Sequence, residues 1–143
     1  MSAGVEVLAC ETCGSAEKAT HGSTRGERLL QHLRTAHAQS SQGCVSVSSV
    51  RCLWACKRSC AVHLRAPGKP GYVLVELEAN ETAARAVLDY AAMYGESVDG
   101  AVPFRRWPDP LRGHFLCRTP PVLPEPSATP PLASQAGSDK DSP

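Results

Sequence analysis

A single mixed α/β domain with the element order β-α-β-β-β-α is what this sequence predicts. Three observations predict it: short alternating apolar runs, two longer stretches with apolar residues at helical spacing, and strong turn chemistry between two of the strand-like runs. Cysteines directly follow the first two strand-like runs, which places two thiol-bearing loops at one end of a sheet if those strands are neighbours.

Val5 to Ala9 begins with apolar and polar residues in alternation and reads as the first strand, with Cys10 and Cys13 immediately behind it. Residues 14–23 are small and polar, hence loop. Thr24 and Glu27 stand at capping-box spacing, and Leu29, Leu30, Leu33 and Ala36 follow at helical spacing, so a helix is expected from about residue 24 to 38, weakened slightly by Gly26. Val45 to Arg51 reads as the second strand, with Val45 and Val47 alternating with serines and Cys44 read as a small buried hydrophobe. Beyond the second cysteine loop, Ala61 to Arg65 and Tyr72 to Leu77 read as a hairpin about the turn from Ala66 to Gly71. Asn80 suits the cap of a second helix through about Tyr94, with Ala84, Val87, Leu88, Ala91 and Met93 inward and Gly95 as its stop. Strand, helix, strand and then hairpin plus helix is the minimal thioredoxin-like core.

From Val98 to Arg118, three prolines among Phe104, Trp107, Leu111 and Phe115 predict an irregular segment that packs its aromatics back on the domain. The domain is expected over residues 4–118. Residues 119–143, proline-rich and without aromatics, read as a disordered tail. With 143 residues there is room for one core.

A net charge of +1, without a long basic stripe, gives no electrostatic support for a nucleic-acid partner. No apolar run is long enough to span a bilayer, and the N-terminus lacks the basic start and apolar stretch of a secretory signal, so the cytoplasm is the expected location. Seven cysteines, an odd number, fit poorly with a disulfide framework in a reducing compartment. Most fall in two tight groups, Cys10 with Cys13 and Cys52 with Cys56 and Cys60, the spacing by which loops aim successive thiolates at one metal. Cys117 reads as incidental. Lys57 and Arg58 read either as charge compensation for such a centre or as solvated surface charges, and Trp54 as a buried anchor of its loop. His21, His32, His37, His63 and His114 are scattered, without catalytic spacing, so an enzymatic role is not expected.

Cys52 and Cys56, a CxxxC pair behind a strand, resemble the second cysteine pair of thioredoxin-like 2Fe-2S ferredoxins and of the related small subunit of respiratory NADH dehydrogenases. The longer pattern is similar to a bacterial family of predicted metal-binding proteins of unknown function. The matching features are Cys10 and Cys13, the run from Cys52 through Lys57 and Arg58 to Cys60, the turn from Ala66 to Lys69, and the segment from Asp99 to Pro108. The likeness covers about residues 4 to 120 and departs from the ferredoxins in the closer spacing of Cys10 and Cys13.

The resemblance implies a 2Fe-2S cluster on Cys10, Cys13, Cys52 and Cys56, with Cys60 as an alternative ligand, and electron transfer or an accessory role as the function. Zinc on the same thiols is the competing metal. The family's association with cobalamin-pathway genes implies a zinc- or cobalt-binding accessory protein as a further alternative. The remaining reading is a thiol-disulfide oxidoreductase using Cys10 and Cys13, against which the helix signal starts well after Cys13 and no proline stands opposite the pair. Expected partners are a redox or metal-pathway protein and, as one option, a second copy in a homodimer.

Overall fold

The computed structural model describes residues 4–14, 22–40, 44–54 and 56–121, without the side chain of Cys56. The elements are β1 (Val5–Cys10), α1 (Arg25–Gln39), β2 (Val45–Val50), β3 (Val62–Ala66), β4 (Lys69–Leu74), α2 (Glu81–Glu96) and β5 (Phe115–Thr119), with short 3-10 turns at Cys56–Arg58, Phe104–Arg106 and Asp109–Leu111. The predicted order β-α-β-β-β-α is present, and β5 is added to it.

One five-stranded sheet runs in the order β2-β1-β3-β4-β5. β1 and β2 are parallel, with Val5 opposite Val45 and Cys10 opposite Val50, as a strand-helix-strand crossover requires. β3 runs antiparallel to β1, placing Ala9 opposite Val62, and forms an antiparallel hairpin with β4. The two helices contact each other and both rest on β1 and β2, so they share one face of the sheet. Val5, Val7 and Ala9, on alternate positions of β1, are buried in that layer with Leu29 and Leu33 of α1 and Ala84, Val87 and Ala91 of α2. Each fully buried valine or leucine contributes about 1.5–3 kcal/mol. The opposite face is polar at Glu6, Ser46, Ser48, His63 and Arg65, none of which is buried.

The capping box predicted for α1 is formed: Glu27 N donates to Thr24 Oγ1 at 2.9 Å and Thr24 N donates to Glu27 Oε1 at 2.9 Å. Asn80 caps α2 through Ala83 N at 2.8 Å. Gly95 does not stop α2, which continues to Glu96 and is capped by Ser97. Lys69, directly after the Pro67-Gly68 turn, donates from Nζ to Gly95 O at 2.9 Å and to Tyr94 O at 3.1 Å, the latter shared with the Ser97 amide, and so caps the helix end. The hairpin's second strand therefore starts at Lys69, earlier than Tyr72, and ends at Leu74, before the Leu77 expected from sequence.

The segment read as irregular holds two 3-10 turns and then β5, which pairs antiparallel with β4 through Tyr72 opposite Arg118. The polar and proline-rich surroundings of Phe115 to Thr119 hid this edge strand from a reading based on alternation. Thr119 belongs to β5, one position past the expected domain end; from Val122 onward the expected tail lies outside the described residues. Trp107 and Phe115 do pack back on the domain, against Tyr90 and Tyr72: Phe115 lies 5.1 Å from Tyr90 and 5.8 Å from Tyr72 between ring centroids. Phe104 remains mostly exposed under the Arg112 guanidinium, 4.8 Å from its ring.

Burial, with Tyr72 close by, pushes the Tyr94 phenol up to about 12 and moves Tyr90 upward as well. An unfolded tyrosine ionises near pH 10, so the neutral folded forms stabilise the protein fully below about pH 10 and this contribution falls as pH rises through the folded values. Urea-unfolding midpoints should therefore be flat from about pH 8 to pH 9.5 and drop steeply toward about pH 11.5. Tyr94→Phe, which also removes a 2.7 Å hydrogen bond to Pro70 O, should lower stability by about 1 kcal/mol at neutral pH and flatten the alkaline drop.

Candidate metal centre

Because β1 and β2 are parallel and in register at their ends, the chain leaves both at one end of the sheet. The two loops are then stitched together: Glu11 N donates to Val50 O at 2.9 Å and Thr12 Oγ1 donates to Arg51 O at 2.5 Å. Antiparallel β3 begins at this same end, where Cys10 N donates to Ala61 O at 3.1 Å, so Cys60, across a cis peptide from Ser59, enters beside Cys10. The segment after β4 closes the arrangement, with Glu76 N donating to Arg58 O at 2.8 Å and Leu77 N to Cys60 O at 3.2 Å.

The first turn of α1 is docked on the cysteine loop. Thr24, buried, donates through Oγ1 to Glu11 O at 2.5 Å, and Gly26 N donates to Cys13 O at 2.9 Å. A Cβ at residue 26 would overlap the Cys10 carbonyl oxygen and stand 3.2 Å from Cys13 Cβ, so this approach needs glycine. Arg25 Nη1 reaches Ser59 Oγ at 3.4 Å. The start of α1, though well after Cys13 in sequence, lies against the cysteine loop in space, with Gly26 N on Cys13 O.

Cys10, Cys13 and Cys60 are buried, whereas Cys52 is exposed, and no disulfide joins them among the described residues. Burial pushes the Cys10 thiol up, but the amide of Leu53, the Cys13 thiol and the hydroxyl and amide of Thr12 together outweigh it, and its pKa lies below the usual value. Cys13 is pushed up to about 12, by burial first, then by its hydrogen bond with Cys10; the Ala61 amide opposes this, and the nearby charges of Cys10 and Cys60 add to it. Trp54 N donates to Cys52 Sγ at 3.2 Å. Backbone amides are thus directed at three sulfurs: Leu53 at Cys10, Ala61 at Cys13 and Trp54 at Cys52. Amide donors of this kind favour the anionic form of sulfur, the form that ligates a metal.

Among the described residues, no three His, Cys, Asp or Glu side chains stand close enough together to hold one metal ion. The structure brings together Cys10 and Cys13, with Cys60 near enough for its charge to act on Cys13, and puts Cys52 on the adjoining loop. The side chain of Cys56 lies outside the described residues. In donor chemistry the site suits a thiolate-ligated centre, with closure depending on the 52–56 loop.

Trp54 is not a buried anchor; it is 92% exposed, with φ of 62°, and it is the neighbouring Leu53 that packs against the core. Arg58 forms an ion pair with Glu76 at 3.1 Å, both side chains about half exposed, while Lys57 is exposed. Cys44, expected to be buried, precedes β2 and is exposed; Cys117 is exposed on β5. The roles of Thr12, Gly26 and the three amides were not legible in the sequence, because backbone donors leave no residue-type signal. His63 lies on the open face against Thr119 Oγ1 at 3.3 Å, and His114 Nδ1 contacts Val75 O at 2.9 Å, so neither belongs to the cysteine site.

The structure is that of a mixed α/β domain with its cysteine-rich loops gathered at one end of a five-stranded sheet. The chain belongs to the family described as Protein of unknown function (DUF1636), whose match spans residues 7–121 and so includes both cysteine loops and β5. No curated protein and no solved structure matches the chain. Among the described residues no helix is long and apolar enough to cross a membrane.

The close approach at Gly26 is directly testable. Gly26→Ala should lower stability by about 1–3 kcal/mol, since overlap with fixed backbone outweighs the better helix propensity of alanine. A variant equal to or more stable than the parent in urea unfolding would contradict the docking of α1 on the cysteine loop.

Proposed function

We propose that this protein carries a metal centre on cysteine thiolates, a 2Fe-2S cluster in preference to zinc, and acts in a reducing compartment as an electron carrier or cluster-dependent accessory protein. The observation that carries the reading is the gathering of the buried Cys10, Cys13 and Cys60, with Cys52 on the adjoining loop, at the end of the sheet where three chain segments meet, with amide donors beside them such as Trp54 N on Cys52 Sγ at 3.2 Å. Such donors offset the negative charge that several thiolates concentrate, and they raise the reduction potential of an iron-sulfur centre. A bound cluster would supply reversible one-electron storage.

The chain's own residues have separable parts in this. Cys10 and Cys13 supply a buried pair on a loop held by Thr24 and Gly26. Burial of Cys60 and its nearness to Cys13 support it as a ligand rather than a reserve, with the 52–56 loop completing the set through Cys52 or Cys56. Zinc on the same thiols would leave the loops structural, and the accessory role in cobalt or zinc handling rests on the family resemblance alone.

A second reading is favoured by one feature, the unequal thiols of Cys10 and Cys13 beside the start of α1. In it the Cys10 thiolate attacks a substrate disulfide and Cys13 displaces the mixed disulfide, leaving a Cys10–Cys13 disulfide and a substrate with two thiols. This reading leaves Cys60 and the 52–56 loop without a part.

Serine substitution separates the readings. Cys60→Ser and Cys13→Ser should each remove most of the metal from anaerobically purified protein, while Cys44→Ser and Cys117→Ser retain it. Equal metal content in all four variants would sink the ligand assignment. Unchanged metal in Cys60→Ser, with disulfide reductase activity lost only in the Cys10 and Cys13 variants, would favour thiol exchange.

A further inference from the structure

The cysteine end of the sheet carries an exposed feature that holding a metal does not require. Trp54 presents 92% of its surface to solvent, and its φ of 62° is a conformation that a bulky residue adopts only at a cost. Its own amide donates to Cys52 Sγ at 3.2 Å, so Trp54 stands beside an exposed thiol of the site. Arg51 and Lys57, on the same loop, are exposed, and neither joins an ion pair among the described residues. Of the acids on the segments that meet there, Glu76 is already engaged by Arg58, Glu78 is exposed beyond Leu77, and Glu11 is half-buried.

An exposed aromatic with exposed cations before and after it in the same loop, neither ion-paired among the described residues, is the pattern of a docking surface that centres on one ring to be buried and orients its partner by charge. We propose that Trp54, Arg51 and Lys57 form the docking surface for an acidic electron-transfer protein, which would cover Trp54 and bring its own redox group to the Cys52 side of the site. The proposal deepens the electron-carrier reading and rests on it for the partner's chemistry, but docking itself depends on surface residues alone. Solvent exposure of a tryptophan on a metal-binding loop is otherwise unfavourable, and covering it would remove apolar surface from water.

The test measures binding of dye-labelled probes to the full chain by fluorescence anisotropy, with a plant-type ferredoxin as the acidic probe and a cytochrome c as the basic one. The acidic probe should bind and the basic probe should not. Affinity for the acidic probe should fall at least about tenfold between low salt and about 0.3 M salt. Trp54→Ala should weaken binding about tenfold or more, and the double variant Arg51→Glu with Lys57→Glu should abolish it while admitting the basic probe. Circular dichroism confirms that each variant folds, which is expected of exposed positions.

Absence of binding to the acidic probe, or equal binding of both probes, would overturn the proposal. So would a salt- and charge-dependent affinity that Trp54→Ala leaves unchanged, since charge alone would then account for it. Metal and sulfide content, measured on the same preparation, reports separately on the electron-carrier reading: a colourless, metal-free protein that still binds the acidic probe through Trp54 would keep the docking surface and lose the cluster.

Discussion

The close approach of the first turn of α1 to the loop between Cys10 and Cys13 is the contact on which the rest of the cysteine site depends. It is made by a hydrogen bond from Gly26 to the Cys13 carbonyl and by Thr24, whose hydroxyl serves both the helix cap and the Glu11 carbonyl. Without a side chain at residue 26 the helix can lie on the loop backbone itself, and this fixes the direction in which Cys13 enters the core. Burial and the neighbouring thiols keep Cys13 protonated beside the helix start, while the Leu53 backbone and Thr12 hold the Cys10 value below the usual one against its burial.

The second constraint is topological. A strand-helix-strand unit makes β1 and β2 parallel neighbours, so loops that follow them emerge together, and antiparallel β3 starts from the same end. Cysteines separated widely in sequence therefore meet without any dedicated element. Their environment then divides them: Cys10, Cys13 and Cys60 are buried, while Cys52 faces solvent beside Trp54. That division, a buried set joined to an exposed exit, is the physical basis for reading the site as a centre that exchanges something with a partner.

Much of the fold was legible because its signals are local. The capping box at Thr24, the helical spacing of Leu29, Leu30 and Leu33, and the turn at Pro67-Gly68 each specify geometry within a few residues. The convergence of the two cysteine loops was also legible, as the consequence of two strand-cysteine junctions in a parallel pair. β5 was not, since Phe115 to Thr119 is an edge strand whose order comes from pairing with β4 and from the Trp107 and Tyr90 rings. Gly26 was read as a flaw in a helix, when its value lies in a tertiary contact that no local pattern announces. Trp54 was misplaced for a related reason: large aromatics are buried on average, and only the loop's path puts this one outside.

The central claim is that these thiols hold a metal centre, and the most direct measurement is the metal and acid-labile sulfide content of anaerobically purified protein together with its visible absorption spectrum. The account predicts about two iron and about two sulfide per chain, with the reddish-brown colour of a 2Fe-2S cluster. Protein that is free of metal, colourless, and readily oxidised at Cys10 and Cys13 alone would contradict it.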